Sequence, residues 1–292
     1  MFQEIAAALA QGEAIALLTV VRTHGAAPCA PGTKALLRSD GTLVGALGAA
    51  SIEARACIDA RRLLDESGEA SVFVYHLDPD SGESVGSCGA TLEVFIEPVR
   101  SEPRLLIAGS GYVAVALARL VVPLGWRVAL VDDRSEFTRA TRLPESVVVE
   151  VGDIASFIRA QHPNKATAVV IVTRGHRADH EALSAALATD AGYVGMIGSP
   201  SKTRAIFKAL LREGVTAQTL ARAHAPIGLD VHAQTPDEIA LSIAAELLMW
   251  RRGGTGQPLY AITGILGNLL ENTSPNADTD LGAEAEAEEA AG

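Results

Sequence analysis

The sequence predicts a mixed α/β protein: a C-terminal, Rossmann-like, doubly wound parallel sheet preceded by a smaller α+β domain. Three observations carry this. After residue 104, apolar β-rich runs alternate with helical segments, the pattern of right-handed βαβ crossovers. The stretch LLIAGSGYVAVALARLVVPLGWRVALVDD, residues 105–133, reads as strand, glycine turn, helix and strand, with two acids at its end. The first hundred residues are instead rich in strands, with one long amphipathic helix and two long loops.

Residues 2–11 form a short amphipathic helix stopped at Gly12, and 14–22 (AIALLTVVR) is a strand. Residues 23–33 are a Gly/Pro loop. KALLRSDGTLVGAL (34–47) reads as a hairpin turning at Asp40-Gly41. Apolar residues recur at helical spacing over 51–67, before Gly68. Strands follow at 71–77 and 92–99, separated by a polar loop at 78–90. Ser101-Glu102-Pro103 marks a boundary, so the domains are expected at 1–100 and 101–255, with a tail from 256. The second domain is expected to hold strands at 105–109, 127–132, 146–152, 168–173 and 193–198, with helices at 112–123, 178–189 and 200–213. The helix at 235–252 has the clearest start. Thr235 is an N-cap, Pro236 sits at N1, and Glu238 at N3 completes a capping box.

A chain of 292 residues can bury a large core, and its Ala, Val and Leu suit helices packed on a parallel sheet. No apolar run is long enough to predict a membrane span. The N-terminus lacks a basic region and carries Glu4 and Glu13, unlike a secretory signal. Three cysteines make a disulfide framework unexpected and the cytoplasm the expected location. The net charge is −11; six acids and no base fall within 273–292, leaving −5 for the body. An acidic body speaks against a nucleic-acid partner, because phosphates need cations. The acidic tail, from about 272, is expected to be disordered.

The glycine turn is Gly109-Ser-Gly111-Tyr-Val-Ala114, the G-x-G-x-x-A form. Gly109 permits the tight turn, Gly111 lets backbone approach a pyrophosphate, and the following helix offers free N–H groups beside Tyr112. Asp132 stands where a ribose 2′-OH acceptor is expected, and with Asp133 favours NAD over NADP. Three further segments fall at strand carboxyl ends. Thr173-Arg-Gly-His176-Arg-Ala-Asp179-His180 is either a ligand or acid–base cluster or a solvated helix cap. Gly198-Ser199-Pro200-Ser201-Lys202 is either an anion cradle or an ordinary capped helix. Pro226-Ile-Gly228-Leu-Asp230 is a turn whose glycine allows close approach and whose acid can point inward. Cys88, in a glycine turn, is either an accessible thiol for sulfur or metal chemistry or a small buried residue. There is no C-x-x-C, no H-E-x-x-H and no Tyr-x-x-x-Lys pair, so neither a dedicated zinc site nor a complete dehydrogenase site is indicated.

These segments, together with TPDEIALSIAAELL, YVGMIGSPSKTRAIFKALLREG, DGTLVGALGAASIEA and SCGATLEVFIEP, resemble the XdhC/CoxI family of xanthine dehydrogenase accessory proteins over most of residues 1–252. The resemblance implies a maturation factor, not a turnover enzyme. Such a factor binds molybdenum cofactor in a pocket between two domains, supports its sulfuration, and passes it to the apo-form of a molybdenum hydroxylase. It also implies a homodimer, and a cysteine desulfurase as a further partner. Lys34 and Glu53 match the family in the N-terminal domain and, with Cys88, are its pocket candidates. Three places depart from the family pattern: Pro28-Cys29 stands for Pro-Arg, Gly48-Ala49-Ala50 for three glycines, and Cys88-Gly89-Ala90 for Cys-Gly-Gly. The added methyl groups are expected to fill space where backbone approached a ligand. Two alternatives remain: an NAD-dependent oxidoreductase using His176, or a regulator that binds a NAD-like nucleotide.

Overall fold

The computed structural model describes residues 1–65, 68–77, 89–135 and 143–264. Cys88, most of the 78–90 loop and the acidic tail lie outside the described residues. The chain divides into one compact unit, Met1–Gly254, and a second, Thr255–Gly292, whose described part holds a helix at Leu259–Thr263.

The first unit contains two sheets. In the antiparallel one, β1 (Ile15–His24) is central, between β2 (Lys34–Leu37) and β5 (Thr91–Val99). Strands β3 (Leu43–Gly45) and β4 (Ser71–His76) form its edges. Period-two alternation sends Ala16, Leu18 and Val20 of β1 and Leu92, Val94 and Ile96 of β5 to one face. There α2 (Ala50–Asp65) covers them with Ile52, Ala56 and Ala60. On the opposite face α1 (Phe2–Ala10) packs Ala8 against Ile15 and Leu36. Gly41, at φ +90°, turns the β2–β3 hairpin where the sequence places it.

The parallel sheet holds β6 (Arg104–Ala108), β7 (Arg127–Asp132), β8 (Val148–Val151), β9 (Thr167–Ile171), β10 (Tyr193–Met196) and β11 (Ala223–His224). Their order is β11-β10-β9-β6-β7-β8. The chain starts in the middle, winds out to β8, then returns to β9 and winds the other way. That reversal creates a switch point between β6 and β9, where the loops diverge and a crevice opens at the carboxyl ends. Both faces of the central strands are covered, so those strands are mostly apolar, whereas the edge strand β8 is exposed along its length. Leu105 and Ile107 join a core with α3 (Tyr112–Val121) and α8 (Pro236–Arg252). Leu106 and Ala108 join another with α4 (Ile154–Ala160), α5 (His176–Leu187) and α6 (Pro200–Arg212).

The sequence reading misses α4, which has only seven residues and starts on the Asp153 side chain, an acceptor for the Ser156 N–H at 2.7 Å. A short α7 (Ala217–Leu220) and β11 were also not expected. The helix expected over 112–123 changes to 3-10 geometry at Val122–Leu124 and ends on Gly125 at φ +81°. The capping box of Thr235 and Glu238 is present as expected. Among the described residues, no helix is long and apolar enough to cross a membrane.

Contacts between the two sheets' elements lie at the amino ends of the parallel strands. Asn164, just before β9, donates from Nδ2 to the Ala10 carbonyl at 2.9 Å. The Ser101 hydroxyl donates to the Leu9 carbonyl, and Lys165 pairs with Glu13. The glycine turn sits at the other edge. Among the described residues the antiparallel sheet docks away from the carboxyl-end crevice, and the cavities lined by both domains lie at this amino edge, one of them lined by Glu13, Arg159 and Arg222.

The other end of the sheet is fastened by Glu246, a buried carboxylate on α8. It accepts from the Gly228 N–H, and faces His224 Nδ1 at 2.7 Å. Removing it orphans the backbone donor, a loss of about 1–3 kcal/mol. Urea unfolding of Glu246→Ala is expected to show that loss as a lower midpoint with an unchanged m-value.

Candidate functional site

Three loops meet at the carboxyl ends of β6, β9 and β10. Gly109 opens the first, at φ +114°, and a Cβ there would lie 2.5 Å from the Val172 carbonyl oxygen. The glycine is needed because two backbones touch at the switch point. Gly111 is different. It is the N-cap of α3, with φ −69° and ψ 179°, and a Cβ would meet nothing within 4 Å. Any residue can take that conformation, so the fold itself does not ask for glycine here. No side chain caps α3, whose first residue, Tyr112, is 81% exposed. Its first N–H groups and the positive end of the helix therefore face the crevice.

Asp132 has a different role from the one expected. It is buried, and its carboxylate accepts five hydrogen bonds: the Ser110 N–H and hydroxyl, both at 2.8 Å, and the Arg134 N–H, Nε and Nη2 at 3.1, 2.9 and 3.0 Å. Burial alone raises its pKa, but the bonds from Arg134 and Ser110 outweigh that and hold the carboxyl well below the usual range. Its lone pairs are spent inside the protein, so it anchors the glycine turn to β7 and does not present itself to a ribose. Asp133 points to solvent, 3.6 Å from Arg134 Nε. Ser110 and Arg134 were missed as site residues. Their only signal was position: one is the middle residue of the glycine turn, the other follows the acid pair.

Beside this turn, Asp179 is fully buried. Its Oδ1 accepts from the Thr173 hydroxyl at 2.7 Å, and Oδ2 meets the Lys202 ammonium. Thr173, Asp179 and Lys202 thus come together as the sequence suggested, but as a buried ion pair with Thr173 as its donor. Gly198 makes room for the lysine stem: a Cβ would sit 3.2 Å from Lys202 Cδ. Ser199 caps α6, accepting the Lys202 N–H at 3.3 Å, so this helix start is an ordinary capped one. The start of α5 carries no side-chain cap. Its N-cap is Gly175, at φ 91° and ψ 155°, a region open essentially to glycine alone, and His176 follows it, exposed.

Two family models match the chain: the XdhC Rossmann domain over residues 105–247, and the XdhC and CoxI family over residues 8–76. The chain belongs to the XdhC/CoxI family. Among curated proteins it is 28% identical over 258 residues to the uncharacterized protein YqeB of Escherichia coli K12, covering 88% of this chain and 47% of that one. It is 24% identical over 162 residues to a probable xanthine dehydrogenase subunit of Bacillus subtilis 168, covering 56% and 47%. The chain thus spans about half the length of the curated relatives it matches. Among solved structures, one described as a xanthine dehydrogenase from Bacillus halodurans aligns with 21% identity and a TM-score of 0.47, covering 89% of this chain and 98% of that one. A Rossmann-fold NAD(P)-binding family protein from Shigella flexneri aligns with 12% identity and a TM-score of 0.38, covering 53% and 89%.

The family's N-terminal candidates are not brought to the crevice. Lys34 lies on the sheet face opposite α2, its Nζ donating to Thr19 Oγ1 at 2.8 Å. Glu53 sits at the start of α2 and accepts the N–H groups of Leu47 and Gly48 at 2.7 and 3.1 Å, clamping that turn. The two residues are not neighbours. Ala49 and Ala90, expected to crowd a ligand, bury their methyl groups in the core beneath α2 instead. Cys29 packs beside that core, and burial raises its thiol pKa. Asp230 also departs from expectation. It is exposed and pairs with His232 at 3.2 Å, while the close approach at Gly228 is to Ser242.

Asp132 links the site to pH. Its folded pKa lies below the unfolded one, so its stabilisation is present above the ordinary carboxylate pKa and fades as pH falls toward the folded value. Asp132→Asn is expected to cost about 1–3 kcal/mol near neutrality. Urea midpoints measured against pH should show the gap to wild type constant above about pH 5 and narrowing in acid.

Proposed function

We propose that this chain is an accessory protein of a molybdenum hydroxylase, of the xanthine dehydrogenase or aerobic carbon monoxide dehydrogenase type. In this reading it holds molybdenum cofactor in the carboxyl-end crevice, supports its sulfuration, and delivers it to the apo-enzyme in the cytoplasm. A cysteine desulfurase is the sulfur source, and the working form is a homodimer. Family membership supports the class of role. The observation that carries the ligand is Gly111, a glycine that neither its own φ nor any neighbour requires. A bound group lying against the backbone supplies the missing reason.

The residues present fit a phosphate-bearing pterin. The uncapped N-terminus of α3 offers N–H donors and positive potential to the phosphate. Lys202 adds a cation whose position is fixed by Asp179. Tyr112 presents an exposed ring beside the turn. The cofactor supplies the redox-active metal of the client enzyme; this chain's residues bind it, orient it and let it go. A nicotinamide nucleotide is served less well, because the acid expected to bind its ribose is fully engaged by Ser110 and Arg134.

Purified Gly111→Val is expected to keep the wild-type melting temperature and lose co-purifying pterin, with affinity down by about tenfold or more. Co-expression with an apo-hydroxylase should then yield poorly sulfurated, weakly active enzyme. Equal hydroxylase activity with and without the wild-type chain would sink the accessory role. A nicotinamide nucleotide co-purifying in place of pterin would replace the ligand.

A further inference from the structure

Where the two sheets dock, a cavity of about 270 Å³ lies at the amino ends of the parallel strands, at the opposite end of that sheet from the crevice. Its walls include the ends of α2 and α8, the link between β5 and β6, and the residues just before β9. Among the described residues that line it, Arg100, Arg251, Arg252 and Lys165 are basic and Asp65 alone is acidic. Four cations to one acid runs against the balance of the chain, whose net charge is −11.

Part of this charge has a local reason. Arg100 Nη2 donates to the Leu63 and Leu64 carbonyls, at 3.2 and 2.7 Å, in the last turn of α2. Lys165 stands 3.6 Å from Glu13. Arg251 and Arg252 end α8, where cations suit the helix dipole. A surplus still remains. Glu13 and Asp65 offset two of the four cations, and each helix end counts as about half a negative charge, which leaves about one positive charge over. Arg252 is not without a partner of its own, and it acts on its neighbours through charge. Burial and then Arg252 lower the pKa of half-buried Arg100; burial, Arg252 and Arg100 lower that of half-buried Arg251. Arginine stays protonated at any ordinary pH, so losing a proton cannot relieve this repulsion. An anion relieves it. Arg251 is already placed to receive one. Its guanidinium lies over the Trp126 ring, 5.8 Å from the centroid, and among the described residues it makes no hydrogen bond, so its N–H edge is unspent.

We propose that this cavity binds a phosphate group, free or as the head of a small ester, held chiefly by Arg100 and Arg251. A guanidinium fork matches the oxygens of a phosphate. The cations also reach the cavity from separate segments, which suits a tetrahedral anion better than a flat carboxylate. Arg100 belongs to the link between the two domains and Arg251 to the last helix of the second, so the bound phosphate ties α8 to the end of α2 and reinforces the docking of the two sheets. The site stands apart from the carboxyl-end crevice and does not depend on what the crevice holds.

The test is calorimetric titration of inorganic phosphate into the full chain carrying Gly111→Val, so that the crevice does not contribute, with chloride exchanged to hold ionic strength constant. One site is expected. Adding Arg251→Gln should weaken it about tenfold or more, and Arg251→Lys, which keeps the charge and loses the fork, should fall between. Thermal melts check that each variant folds, and phosphate should raise the melting temperature of the chain with Arg251 intact but not of the Gln variant. Glycerol 3-phosphate forms a second arm: tighter binding than phosphate identifies an ester as the ligand, weaker binding the free ion. No binding to the Gly111→Val chain, acetate bound as tightly as phosphate, or an Arg251→Gln variant of unchanged affinity would overturn the proposal. None of these readings involves a pterin or a client enzyme, so the accessory role stands or falls separately.

Discussion

The arrangement of the crevice depends on one close approach. At the switch point the backbone of Gly109 lies against the carbonyl of Val172, with no room for a Cβ between them. That contact brings the loop after β6 and the loop after β9 to a common edge. It fixes where α3 begins, because Gly111 follows two residues later. It also fixes where Thr173 points, because that residue follows Val172 directly. Asp132 then locks the turn from the third side through Ser110. The crevice is shaped by backbone and by a buried carboxylate before any ligand contact is considered.

Charge inside this region is handled by pairing. Asp179 and Asp132 are both nearly or wholly buried, and a buried carboxylate is tolerated only when it is matched. Asp179 is matched by Lys202 and Thr173, Asp132 by Arg134 and Ser110. Lys202 stands in the first turn of α6 and Arg134 just after β7, so each acid sets the position of a base. Removing either acid is therefore felt as a displaced cation as well as a lost bond.

Much of this was legible in the sequence because it is local. The glycine turn, the hairpin at Gly41 and the capping box at Thr235 each depend on a few adjacent residues, and each appears where the pattern puts it. The clustering of Thr173 with Asp179 was legible for the same reason, six residues apart across one helix start. What escaped was long-range or directional. The bond from Asn164 to Ala10 spans 154 residues, and nothing in either segment announces which edge of the sheet the first strands will meet. Asp132 looked like an acceptor for a ligand because its competitors, Ser110 and Arg134, are ordinary residues until the turn folds them onto it. Ala49 and Ala90 looked like intrusions into a site, and their direction into the core depends on sheet register.

The docking of the antiparallel sheet at the amino edge changes what the crevice can be asked to do. A hydride-transfer site gains from closure, because excluding water strengthens its electrostatics and protects its intermediates. Among the described residues, the antiparallel sheet packs at the far edge, and Tyr112, His176 and Asp133 stay exposed around the crevice. Exposure of that kind suits a ligand that must be received and surrendered. On the proposed reading, a phosphate at the α3 N-terminus would be held by helix N–H groups beside the Lys202–Asp179 pair, contacts that orient without a covalent bond.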